Sequence, residues 1–125
     1  MHESLHALNG GQFWGHGICH RLDSTTQDFS LKVIDLPWLN RIDEEWLKKS
    51  IADFDTVFVL DNHSQYGGLG DQVLNTALKI NAARSKQFIK FGLDEYPACG
   101  TPQEVLAYHR LNGENLARRI QAALK

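Results

Sequence analysis

The sequence lacks a surplus of positive charge, a long apolar run and a cysteine framework, and each absence removes a class of function. Thirteen Lys and Arg stand against fifteen Asp and Glu, a formal net charge of −2. The basic residues are scattered apart from Lys48-Lys49 and Arg118-Arg119. This is no electrostatic footprint for nucleic acid or for an anionic membrane. No apolar stretch approaches the roughly 18 residues that a membrane span needs. The first residues show no charged segment followed by an apolar one, so no secretory signal is read there. Two cysteines, Cys19 and Cys99, are too few for a disulfide framework, and both are read as free thiols in a reducing, cytoplasmic compartment. There is no internal repeat and no low-complexity segment. What remains is a globular composition, 42% apolar and 22% charged over 125 residues. That length suits one domain, which removes about two-thirds of its unfolded surface from water.

The chain divides into a divergent N-terminal segment, residues 1–29, and an α/β domain, residues 30–125. In the second part strands alternate with helices. Residues 30–36 form a short apolar strand that stops at Pro37, which cannot continue a ladder. Asp43 is a good N-cap with Glu44 and Glu45 in the first turn, and Trp46, Leu47, Ile51 and Phe54 follow helical spacing. Residues 56–60 are a continuous β-branched and aromatic run, as a central strand buried on both faces requires. The spacing then predicts a helix over 73–83, with Leu69, Val73, Ala77 and Ile80 as its inner stripe and Leu74 and Leu78 alongside. Residues 87–91 read as a strand. Thr101-Pro102-Gln103-Glu104 supplies an N-cap, a proline at the first helical position and a capping-box acid. Val105, Leu106 and either His109 or Leu111 face inward. After Asn112-Gly113, a last amphipathic helix carries Leu116, Ile120, Ala123 and Leu124 on one face. Alternation of this kind argues for a mostly parallel sheet with right-handed crossovers, a three-layer α/β/α sandwich.

The most informative stretch is the link between the central strand and the next helix: Asp61-Asn62-His63-Ser64-Gln65-Tyr66-Gly67-Gly68-Leu69-Gly70-Asp71. Open α/β sheets place ligands and interfaces at such turns, and glycines let a partner approach the backbone closely. One reading is an anion or interface site built on the N–H groups of residues 68–71, at the positive end of the following helix. The other is that the glycines only permit a tight strand-to-helix junction. Asp71 already places a carboxylate in the first helical turn, which disfavours a second anion. The turn is neither a P-loop nor a dinucleotide fingerprint, because the Gly-Lys-Ser/Thr ending and the glycine spacing are missing.

Three blocks carry a family resemblance. The turn, with Val73, is similar to the E-D/E-H-x-x-x-G-G-L-G-x-x-V segment of the C-terminal domain of transketolases and related thiamine-diphosphate enzymes. Phe91-Gly92-Leu93-Asp94-Glu95-Tyr96-Pro97-Ala98-Cys99-Gly100-Thr101-Pro102-Gln103-Glu104-Val105-Leu106 resembles the family's G-x-x-D-x-F-P-x-S-G-T/S-P-E-E-L-L. Leu31-Lys32-Val33-Ile34-Asp35-Leu36-Pro37-Trp38-Leu39, followed by Ile42-Asp43, resembles V-R-V-I-D-L-P-x-L-K-P-L-D. The blocks occur in the family's order and cover residues 31–124. The resemblance implies a domain that docks against cofactor-binding domains and contributes to dimerisation. His63, Tyr66, Gly67, Gly68, Leu69 and Gly70 then form an interface or ligand turn, and no residue is catalytic. His63 is placed near the interface and not as an acid or base, with Asp61 standing where the family has Glu and Asn62 where it has an acid. Thiamine diphosphate and Mg belong to the parent enzyme's other domains. The Gly-Asp-Gly motif with its downstream asparagines does not occur here; Gly70-Asp71-Gln72 is not one.

The N-terminal segment departs from the family. Residues 1–8 resemble the start of the family's first helix, yet the strand that precedes that helix is missing. Either it is lost, or residues 13–19 replace it, or the region is disordered or swapped between chains. His2 and His6 at helical i, i+4 spacing, with His16, Cys19 and His20, offer metal-ligand types, but the spacing matches no structural zinc motif and four histidines in twenty residues can arise by chance, so no metal site is read here. Trp46 reads as core, whereas Trp14 and Trp38 lie in segments that suit an interface.

The sequence therefore predicts a C-terminal domain or split-subunit piece of a transketolase-like enzyme, whose parent chemistry is ketol transfer between sugar phosphates. It is expected to be a homodimer, inactive alone, that joins thiamine-diphosphate-binding domains. The rival is a free-standing α/β module that binds a small anionic ligand or a partner protein.

Overall fold

The computed structural model describes residues 2–9, 29–36 and 40–124. Among the described residues four strands form one sheet, β1 (His2–Asn9), β2 (Phe29–Asp35), β3 (Thr56–Ser64) and β4 (Gln87–Leu93), and four helices accompany them, α1 (Glu44–Ile51), α2 (Leu69–Lys79), α3 (Pro102–Tyr108) and α4 (Gly113–Ala123). The strand order is β2-β1-β3-β4 and every pairing is parallel.

The alternation along β3 explains the three layers. Val57 and Val59 join Leu47 and Ile51 of α1 and Leu69, Val73 and Ala77 of α2 in one buried cluster. Phe58 and Leu60, on the opposite face, join Phe91, Leu111 and Leu116 and Ile120 of α4 in a second. Successive side chains of a strand point to opposite faces, so a strand covered on both sides must be apolar at every position. The rings of Phe58 and Phe91 stack with centroids 5.6 Å apart. Placing α1 and α2 on the same face follows from right-handed crossovers, since β2 to β3 and β3 to β4 advance in the same direction across the sheet. The step from β1 to β2 runs the other way. The order therefore reverses between β1 and β3, and Asn9 at the end of β1 pairs with Leu60 of β3. A crevice at the carboxyl ends of the strands beside such a reversal is where α/β sheets bind ligands.

Local chemistry sets the helix ends. The Asp43 carboxylate accepts from the Trp46 N–H at 2.7 Å. Thr101 and Glu104 form a reciprocal capping box ahead of Pro102, and Asn112 caps α4 by accepting from the Asn115 N–H at 3.1 Å.

Three sequence expectations change. Residues 2–9 form a strand, not the first helix. Their backbone is paired to β2 on one side and β3 on the other, and that pairing overrides the helix that the family resemblance implied. In a strand, positions four apart lie about 13 Å apart, so the i, i+4 helix argument for His2 and His6 as a ligand pair no longer applies. Helix α2 starts at Leu69, four residues before the expected start, and ends at Lys79. Leu78, expected beside the inner stripe, is exposed. The expectations for residues 13–19, His16, Cys19, His20, Trp14 and Trp38 lie outside the described residues. Trp46 is half-buried against the first cluster, and Cys99 is a free, exposed thiol.

Candidate functional site

The turn after β3 is built around a buried carboxylate. Asp61, 8% exposed, stands where β3 drops out of its ladder with β4; pairing resumes only at Ser64 opposite Leu93. One carboxylate oxygen accepts from the His63 N–H at 3.0 Å. The other accepts from the N–H of Leu69, the first residue of α2, at 3.1 Å. A helix opens with unsatisfied N–H groups and a positive dipole end. Here the chain's own carboxylate, eight residues upstream, occupies that position, and this is why α2 begins as early as Leu69.

Two glycines make the closure feasible. Gly67 has φ +70, in the left-handed region where other residues are strained. At Gly68, the N-cap of α2, a Cβ would lie 2.6 Å from Asp61 Oδ2 and 2.8 Å from the Ser64 carbonyl oxygen. Gly68 is thus required by close approach. Leu69 and Gly70 are buried at the start of α2, with Gly70 beneath the stem of Lys90.

A second carboxylate and a lysine brace the outside of the turn. Asp71 Oδ2 accepts from the Gly67 N–H at 2.6 Å. Lys90, on β4, donates to Asp71 Oδ1 at 2.5 Å and to the Gln65 carbonyl at 3.1 Å. The hydrogen bond from Lys90, then that from Gly67, holds the Asp71 carboxyl below the usual carboxylate range. Lys90 Nζ also lies 5.8 Å from the centroid of the Tyr66 ring. The lysine is not marked in the sequence, because its partners are 19 and 25 residues away.

The remaining residues of the turn face outward. The His63 side chain is 81% exposed, and its Nδ1 lies 2.5 Å from the Asn62 amide oxygen. Tyr66 is 67% exposed. A hollow of 250 Å³ beside them is lined by His63, Ser64, Tyr66, Leu93 and Pro97 together with Asp94 and Glu95. His63 and Tyr66 line the hollow; Gly67, Gly68, Leu69 and Gly70 do not, and instead make the junction from β3 to α2. Among the described residues no three His, Cys, Asp or Glu side chains gather in a group able to hold a metal ion. No helix of the described residues is long and apolar enough to cross a membrane.

The turn does not suit a diphosphate cofactor. Of the N–H groups of residues 68–71 that would cradle it, that of Leu69 already donates to Asp61, and the neighbouring Gly67 N–H donates to Asp71. The two carboxylates would repel the anion, with Lys90 alone offsetting them.

Comparisons with known proteins agree with this architecture. Residues 20–116 match the family model for the transketolase C-terminal domain. A protein of Methanocaldococcus jannaschii, provisionally named a transketolase C-terminal section, is 33% identical over 97 residues, which is 77% of this chain and 29% of that protein. A solved structure titled split gene transketolase, inactive beta4 tetramer, superposes with a TM-score of 0.71 at 20% identity, covering 99% of this chain and 40% of its own. The chain thus spans less than half the length of these relatives. With the family model matched over more than half of its length, the chain belongs to the transketolase C-terminal domain family.

Proposed function

We propose that the chain is the docking and self-association domain of a transketolase-like assembly in the cytoplasm, with no catalytic residues of its own. It joins a second copy of itself as a homodimer. It also joins thiamine-diphosphate-binding domains carried on the rest of the enzyme or on a separate subunit, a reading supported by likeness to a split gene transketolase. The complete assembly then transfers two-carbon ketol units between sugar phosphates, with the cofactor and Mg held by those other domains.

The observation that carries this reading is the rim of the turn. Tyr66, which lines the hollow running from His63 to Pro97, is 67% exposed, and Tyr96 is 96% exposed. Tyrosine supplies a large contact area at low entropic cost and keeps a hydroxyl for hydrogen bonding. The turn itself is held by Asp61, Gly68, Asp71 and Lys90, so little order has to be created when a partner binds. The exposed Cys99 thiol fits a reducing compartment.

Calorimetry tests the division of labour. The isolated chain titrated with thiamine diphosphate and magnesium is expected to give no saturable heat. A saturable signal at micromolar cofactor would overturn the reading.

A further inference from the structure

A second cavity lies beyond the turn, at the carboxyl end of β4. It has a volume of 690 Å³ and is lined by Gln65, Gly92, Asp94, Glu95, Tyr108, His109, Arg110 and Arg119. One water occupies about 30 Å³, so the space suits a small molecule, and nothing in the docking reading requires it.

His109 is the anomaly in its wall. The side chain is 2% exposed. Its Nε2 accepts from the Ala98 N–H at 3.1 Å, so in the neutral ring Nδ1 carries the proton. That Nδ1 is buried and has no hydrogen-bond partner. The closest acceptor is Glu95 Oε1 at 3.7 Å, too far for a hydrogen bond. Buried donors are almost always satisfied, and an exception points to a missing partner. The Glu95 side chain is 57% exposed and can swing toward solvent, which opens the donor to the cavity.

Two arginines supply the charge. Arg110 has φ +57, a strained conformation for a residue with a side chain. Among the described residues its guanidinium makes no ion pair within 4 Å. Arg119 lies over the Phe91 ring at 4.4 Å and donates to the Arg110 carbonyl at 3.3 Å, and among the described residues its guanidinium makes no ion pair. Burial pushes the Arg119 pKa down; Asp94 opposes that shift and the Arg110 charge adds to it. The two cations are thus close enough to repel, in a wall that also holds Asp94 and Glu95.

We infer that this cavity binds a small oxyanion, a carboxylate or a phosphate group, through Arg110, Arg119 and the Nδ1–H of His109. Asp94, Glu95 and Gln65 receive hydroxyl or ammonium groups on the remainder of the ligand. The left-handed Arg110 closes α3: it follows the C-cap His109, and the Leu111 N–H donates back to the Leu106 carbonyl at 2.8 Å.

The test uses the full chain with ¹⁵N-labelled histidine and follows the ring nitrogens by NMR at constant ionic strength. Inorganic phosphate is titrated in one arm and acetate in the other, with chloride as the control. The expected result is a saturable shift of the His109 Nδ1 resonance at millimolar phosphate or acetate and none with chloride. The arm that saturates at the lower concentration tells phosphate from carboxylate. Arg110→Gly removes the charge while favouring the backbone conformation, so it should melt no lower than the parent yet bind at least tenfold more weakly. Asp94→Asn should bind more tightly, a gain that a purely structural role for Asp94 does not produce. The inference is overturned if no saturable His109 shift occurs with either anion, or if Arg110→Gly binds as the parent does.

Discussion

Replacing Asp61 tests whether a carboxylate organises the turn. In Asp61→Ala the Leu69 N–H loses its acceptor inside the fold, and α2 loses the negative charge at its N-terminus. The His63 N–H loses its partner as well, but it lies nearer solvent and can be hydrated. A buried N–H left without an acceptor costs about 1–3 kcal/mol, and loss of a helix N-cap costs about 0.5–2 kcal/mol. These overlap because they share one hydrogen bond, so the expected loss is about 1–4 kcal/mol. For a chain of this length, 3 kcal/mol lowers the melting temperature by roughly 10 °C. Asp61→Asn keeps one acceptor oxygen and turns an N–H toward the other donor, so it should fall between the parent and the alanine variant. Gly68 supplies a second arm. The Cβ of Gly68→Ala would meet Asp61 Oδ2 at 2.6 Å and the Ser64 carbonyl at 2.8 Å. The first contact disappears in an Asp61→Ala background, so the two substitutions should couple by about 0.5–3 kcal/mol. Urea unfolding at one fixed protein concentration measures all four corners of the cycle. The reasoning fails if Asp61→Ala lies within about 0.5 kcal/mol of the parent, or if the double mutant is additive.

Leu60 is 1% exposed and sits in the second apolar cluster with Phe91, Leu116 and Ile120. Leu60→Ala should cost about 2–5 kcal/mol, and a near-neutral result in chemical denaturation would remove β3 from the centre of the sheet. The Asp71 pKa is depressed in the folded chain, chiefly by the hydrogen bond from Lys90 and then by that from Gly67. Its contribution is therefore complete above the unfolded-state pKa and is lost as pH falls through the folded-state value. Asp71→Asn should flatten the acid limb of a stability–pH curve below about pH 4 while leaving the slope near neutrality unchanged; superimposable acid limbs would contradict this.

Legibility in the sequence followed the range of the interactions. The Thr101–Glu104 capping box and the Asp43 cap lie within single turns, and both were readable because their partners are three residues apart. The uninterrupted apolar run of β3 announced burial on both faces, and the order of strands and helices after β2 followed from periodicity. Residues 2–9 were not read as a strand, because their resemblance to the start of the family's first helix implied a helix. Their state is decided by backbone pairing with β2 and β3. In the turn, the glycines and the exposed Tyr66 stood out, but the groups that hold it did not. Asp61 acts on a residue eight positions away and Lys90 on one 19 positions away. The sequence read Asp61 as an altered neighbour of His63, whereas in the fold it is the acceptor that starts α2. His109 was narrowed only to an inward-facing choice with Leu111. The left-handed conformation of Arg110 carries no sequence sign, because glycine or asparagine usually marks such positions.

The central claim is that the rim of the turn is an association surface, and light scattering of the isolated chain across the micromolar range tests it most directly. The account predicts a dimer mass, about twice 14.1 kDa, that dissociates at higher concentration in Tyr66→Ala than in the parent. A mass of one chain at every concentration, in a protein whose unfolding shows it to be intact, would contradict the claim.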